Sequence, residues 1–140
     1  MAAVSEGASG TGARILGLPM RDWANLTVNR WVTEPIVVDD FFDRLRELSR
    51  CDALVGLDGG VGTLAEVTVT WANLQTDTDV TPPLVLVGAM WEGLLRVLRQ
   101  TLVVDDRDMA LLSVVNDRSE LVAEVRRALV ARRQGDRPRG

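Results

Sequence analysis

The residues of this chain whose types and order can do chemistry lie together, in Asp58-Gly59-Gly60-Val61-Gly62-Thr63-Leu64-Ala65-Glu66. Its glycines permit positive φ and let a ligand's oxygens come close to the main chain, and the first N–H groups of a helix starting here point outward unpaired. Gly59, Gly60, Val61 and Gly62 offer main-chain N–H groups, and Thr63 adds a hydroxyl, for a phosphate or carboxylate. Glu66, one turn further on, brings a carboxylate to whatever that anion carries. A carboxylate in such a place can stabilise an oxocarbenium-like transition state or position water, as in glycoside cleavage. Thr63 and Glu66 also fit a purely structural pattern, the capping box, worth about 1 kcal/mol to a helix. A capping box does not require the glycines, so their presence favours ligand binding.

The flanking elements follow from periodicity. Ala53-Leu54-Val55-Gly56-Leu57 is a short apolar run of the kind that forms a buried parallel strand, and Leu64, Val67, Trp71 and Leu74 recur at helical spacing. Val67-Thr68-Val69-Thr70 taken alone favours a strand, but the Gly-Thr start and the helical spacing outweigh it. Upstream, residues near Met1 to Ala8 read as a helix, Arg14 to Leu18 as a strand ended by Pro19, and Ile36 to Val38 as another short strand. The stretch from Met20 to Thr33, with Trp23, Asn25, Asn29 and Trp31, is irregular and reads as a lid or a surface connection. Asp39 or Asp40 is a suitable N-cap for a helix from Phe41 to about Arg50. That helix has an apolar face of Phe41, Phe42, Leu45 and Leu48, with Arg44 and Arg46 at its margins, so periodicity does not choose between the two arginines.

Downstream, a polar loop from Thr76 to Pro82 leads into a strand at Leu84 to Val87 and a helix from about Trp91 to Thr101. Asp105, Asp106 and Asp108 read as a solvated connector, since they lack the glycine and terminal glutamate of a calcium loop. Leu111 to Val115 reads as the last strand, and Asp117 with Glu120 as a capping-box start for a helix carrying Leu121, Val125 and Leu129. Alternating strands and helices predict an α/β fold, a Rossmann-like parallel sheet with helices on both faces and its ligand at the carboxyl ends of the strands. The predicted organisation is a single domain over residues 1–133 and a disordered tail over 134–140. Trp71 and Trp91 read as core or interface residues rather than base-stacking platforms.

Composition narrows the chemistry. The chain has 140 residues, a net charge of −4 and neither His, Lys nor Tyr. Without Lys these residues form no Schiff base to pyridoxal phosphate and no Walker-type phosphate site; without His they form no Ser-His-Asp triad and no histidine-bound zinc. The acidic balance gives no reason to expect nucleic acid as a partner. Cys51 is the sole cysteine, so no disulfide forms within the chain. No apolar stretch reaches membrane-spanning length and the N-terminus lacks a signal-peptide pattern, which makes the cytoplasm the expected location, with no membrane partner.

The nine-residue segment resembles the GGxGTxxE signature of the Lonely Guy (LOG) family, Rossmann-type phosphoribohydrolases often labelled lysine decarboxylases. Phe41-Phe42-Asp43-Arg44 resembles that family's FFxR helix start, and Trp71-Ala72-Asn73-Leu74-Gln75 its W-x-x-L-Q stretch. Pro83 to Gly88, followed by Trp91, resembles its next strand and helix. The resemblance departs at Asp58, where the family usually has Pro, and at Ala65, often a second acid. Met1 to Ala8 resembles the helix after an earlier glycine-rich segment, so the family's N-terminal βαβ portion is expected to be missing.

The resemblance implies hydrolysis of the N-glycosidic bond of a nucleoside 5′-monophosphate, such as AMP or a cytokinin riboside monophosphate, with no cofactor and no metal. It implies Glu66 and Arg44 as the catalytic pair, a phosphate held by Gly59 to Thr63, and a homodimer. For Arg44 the residue pattern also allows an ordinary boundary arginine with a snorkelling stem. A nucleotide-binding protein without catalysis and an inactive remnant are the alternatives. Asp58 beside a bound phosphate should repel it unless the side chain turns away or pairs with an arginine.

Overall fold

A computed structural model of the chain describes residues 2–22, 28–76 and 81–134. The chain falls into two compact units, Met1–Leu48 and Ser49–Gly140. Trp23 and Asn25, most of the predicted polar loop after Thr76, and residues 135–140 of the predicted tail lie outside the described residues.

In the first unit, helix α1 (Ala2–Ala8) precedes strand β1 (Leu16–Gly17), which pairs in parallel with β2 (Glu34–Pro35). Both strands are shorter than predicted, and β2 starts upstream of the expected Ile36 to Val38. The hydrogen bonds explain this. Glu34, Ile36 and Val38 donate their amides in turn to the carbonyls of Ile15, Gly17 and Pro19 at 3.2, 2.8 and 2.9 Å. Pro19 has no N–H to return, so the regular ladder stops there. The amide of Pro35 is not missed, because alternate residues of a strand donate to opposite sides.

Helix α2 (Phe41–Leu48) is capped by Asp40, whose carboxylate accepts the amides of Phe42 and Asp43 at 2.8 and 2.9 Å. Asp39 instead pairs with Arg21 at 2.7 Å. The predicted apolar face needs correcting at Phe42, which is 66% exposed, whereas Arg44 is buried at 7% exposure. Arg44 donates to the Leu18 carbonyl, a main-chain acceptor for its guanidinium that helical periodicity does not reveal. Arg46 remains at the surface and pairs with Asp43.

The second unit is built on a parallel sheet in the order β3 (Leu54–Gly56), β4 (Leu84–Val87), β5 (Leu112–Val115). Leu54 pairs with Leu84 and Leu84 with Leu112, and the three strands advance in register from there. Helix α3 (Val61–Thr76) connects β3 to β4; α4 (Ala89–Thr101) and the short α5 (Asp106–Met109) connect β4 to β5; α6 (Arg118–Gln134) follows β5. Together with the parallel β1–β2 pair, this is a Rossmann-like α/β fold.

Central β4 is a continuous Leu-Val-Leu-Val run because both its faces are covered, and Val85 and Leu86 have no solvent exposure at all. Around it pack Val67, Trp71 and Leu74 of α3, Trp91 and Leu95 of α4, and Leu112 of β5. Trp71 donates its indole N–H to the Asp108 carbonyl at 2.8 Å, which fastens α3 to α5. The β-branched run in α3 is accommodated because Thr68 and Thr70 turn their hydroxyls back to the Leu64 and Glu66 carbonyls, at 2.9 and 2.8 Å.

The predicted connector at Asp105 is a capped turn of helix: Asp105 and Asp108 exchange side-chain-to-amide bonds in a capping box. Among the described residues no helix is long and apolar enough to cross a membrane.

Candidate functional site

The carboxyl end of β3 runs through Leu57, Asp58 and Gly59 directly into α3. The helix begins at Val61, two residues before the predicted start at Thr63. Gly60 carries the first helical carbonyl, accepting from the Leu64 amide at 3.0 Å, so Gly60 occupies the cap position and Thr63 lies inside the first turn. A capping box with Thr63 as its cap is therefore not what starts this helix. Among the described residues, no carbonyl or side chain accepts from the amides of Gly59 to Thr63. These N–H groups sit at the positive end of a 16-residue helix.

The glycines divide by what surrounds them. A Cβ at Gly59 would overlap the Thr63 side chain, lying 2.7 Å from its Cβ, because Thr63 folds back over the loop. At Gly60 and Gly62 a Cβ would meet nothing within 4 Å. Positive φ is not the reason for any of the three: among the described residues only Gly12 and Gly88 have it. Gly59 is required for packing against Thr63, while Gly60 and Gly62 leave the main chain open to solvent.

Glu66 lies in the second turn of α3, half-buried. Residues three and four apart share a helix face, so Glu66 stands one turn behind Thr63 and Gly62. Arg44, the other predicted catalytic residue, belongs to the first unit, where it holds the Leu18 carbonyl.

Asp58 turns toward the end of β4. Its Oδ1 lies 2.5 Å from where a Cβ of Gly88 would be, a position left vacant because Gly88 has none. Gly88 adopts φ 116° and ψ 155°, a conformation essentially confined to glycine, and caps α4 without a side-chain bond. Its amide donates to the Val115 carbonyl at 3.0 Å, tying the ends of β4 and β5 together. Beyond β5, Asn116 donates to Glu92 at 2.5 Å. Asp117 is held below the usual carboxylate range by the Ser119 amide and then its hydroxyl. The carboxyl edge of the sheet thus carries Asp58, Gly88 and Asn116 in strand order.

Sequence reasoning singled out the loop but not Gly88 as the counterpart of Asp58. The available signal was a glycine immediately after the apolar strand Leu84 to Val87. A cavity of about 300 Å³ between α3 and α4, lined by Leu64, Trp71 and Leu98 among others, and one of about 120 Å³ beside Arg127 and Arg132 contain no residue of the glycine loop. The loop is exposed. Among the described residues no group of three or more His, Cys, Asp or Glu side chains is placed to hold a metal ion.

A protein-family model described as possible lysine decarboxylase matches residues 1–125 of this chain. The chain belongs to this family, the LOG family. The match takes in the loop at the α3 N-terminus, the α2 helix of the first unit and the start of α6. No curated protein matches the chain. As a LOG family member this chain departs from the usual motif at Asp58, and its structure gives that departure a place, against Gly88.

Proposed function

We propose that this LOG family member binds a nucleoside 5′-monophosphate and hydrolyses its N-glycosidic bond, releasing the base and ribose 5-phosphate. The observation that carries the reading is the set of main-chain amides from Gly59 to Thr63 that no group among the described residues uses, gathered at the α3 N-terminus with Glu66 behind them. A phosphate dianion fits such a notch by charge and by hydrogen bonding. The Thr63 hydroxyl adds a donor at its rim.

In the proposed reaction the bond from C1′ to the base nitrogen breaks and a bond from C1′ to a water oxygen forms. The water's proton passes to a base, for which Glu66 is the carboxylate at hand, and the departing base nitrogen takes up a proton. Positive charge gathers on C1′ and the ring oxygen as the bond stretches, and a nearby carboxylate stabilises it. The family resemblance also gives Arg44 a part in catalysis. Decarboxylation of lysine through a pyridoxal Schiff base has no support in these residues, because none of them is a Lys.

Incubation with AMP, followed by chromatography for adenine and ribose 5-phosphate, tests the proposal. Formation of both in equal amounts is the expected result. Calorimetric binding of AMP with no product would leave a nucleotide-binding protein without this activity.

A further inference from the structure

We propose that Asp58 selects the sugar of the bound nucleotide by accepting hydrogen bonds from the vicinal hydroxyls of a ribose. The inference rests on the nucleotide-binding reading above and names the part of the ligand that this chain's own departure from its family recognises. Asp58 immediately precedes the amides of the notch, is exposed, and among the described residues no hydrogen bond or ion pair engages its carboxylate. It is nevertheless not loosely placed. Its Cγ and both oxygens lie 2.5 to 3.2 Å from the position of a Gly88 Cβ, so the missing side chain of Gly88 makes the space it fills. The φ of +116° at Gly88 keeps that space clear, since L side chains rarely adopt it.

A carboxylate only accepts hydrogen bonds, so the part of a ligand that meets Asp58 must donate. A second anionic group there is disfavoured by charge. In a 5′-nucleotide anchored by its phosphate, the next neutral donors along the molecule are the ribose hydroxyls, and two carboxylate oxygens match a vicinal diol. Turned toward Gly88, Asp58 leaves the phosphate to the amides and offers its acceptors to the sugar.

The test is calorimetric titration of AMP, 2′-deoxy-AMP, ribose 5-phosphate and 2-deoxyribose 5-phosphate into the wild-type protein and into Asp58→Ala and Asp58→Asn, with EDTA present. The wild type should bind each ribose ligand about tenfold or more tightly than its deoxy counterpart, as for the loss of one hydrogen bond to a charged acceptor. In Asp58→Ala the ratio should fall to about one while ribose 5-phosphate still binds through its phosphate. Equal binding of ribo and deoxy ligands by the wild type, or an unchanged ratio in Asp58→Ala, overturns the assignment to Asp58 and leaves the phosphate notch standing. Discrimination that disappears in EDTA and returns with magnesium also overturns it, in favour of a cation between Asp58 and the ligand. No binding of any of the four ligands by the wild type removes the nucleotide reading itself. Thermal unfolding of both variants checks that the exposed substitution has left the fold intact.

Discussion

The Thr63 side chain occupies the space that a Cβ on Gly59 would need. Gly59→Ala should therefore force Thr63 or the loop to move, and overpacking of this kind destabilises by about 1–3 kcal/mol. Urea denaturation measures the loss, and Gly59→Ala combined with Thr63→Ala should recover part of it. An unchanged midpoint in the single variant would mean that the loop relaxes at no cost.

Gly60 and Gly62 should behave in the opposite way. With nothing within 4 Å of either, an added methyl costs the fold little, and alanine at Gly62, inside α3, should raise stability by up to about 1 kcal/mol. The same methyls stand where a phosphate would approach the amides. AMP affinity should fall at least about tenfold in each variant, about 1.4 kcal/mol, while the melting temperature holds or rises. Affinity unchanged in both would place the ligand elsewhere.

Glu66→Gln keeps the size of the side chain and removes its charge. Turnover should fall by about two to four orders of magnitude, as for loss of a general base, with AMP affinity within about twofold of wild type. A variant that hydrolyses AMP at the wild-type rate takes Glu66 out of the mechanism.

For Arg44 a structural effect comes first. Arg44→Ala removes a buried side chain and the donor to the half-buried Leu18 carbonyl, and losing a hydrogen bond made by a charged group costs up to about 3 kcal/mol. Activity lost in that variant is informative only when measured well below its melting temperature. Arg44→Lys, which retains a charge and a donor, should recover much of the stability; if it does so without recovering turnover, the guanidinium has a role beyond the fold.

Acid should loosen α6 before the sheet. Asp117 is held below the ordinary carboxylate value by the Ser119 amide, and Glu124 first by its hydrogen bond from Arg127. For groups shifted down on folding, the stabilisation is full above the ordinary carboxylate range and is lost as pH falls through the lower folded value. Hydrogen exchange at decreasing pH should show α6 amides losing protection while β4 amides remain protected, and Asp117→Asn should reduce the effect at the helix start.

The elements with strong period or run signals were legible in the chain: β4 as an unbroken apolar run, α3 from Leu64, Val67, Trp71 and Leu74, and the glycine loop between β3 and α3. What local pattern did not disclose depended on partners distant in sequence. Arg44 is buried because the Leu18 carbonyl, 26 residues earlier, accepts from it, and no helical wheel contains that acceptor. The direction of Asp58 depends on Gly88, which meets it only once β3 and β4 are paired. The strand pairing at Glu34 and Pro35 lies upstream of the apolar Ile36 to Val38, because the partner carbonyl of Ile15 takes the Glu34 amide and the ladder tolerates the proline by alternation.

The complete enclosure of Val85 and Leu86 gives the second unit an internal clock. Deuterium can reach their amides only when β3 or β5 parts from β4, so their isotope uptake measures how often the middle of the sheet opens, and a nucleotide that clasps the loop after β3 should slow it.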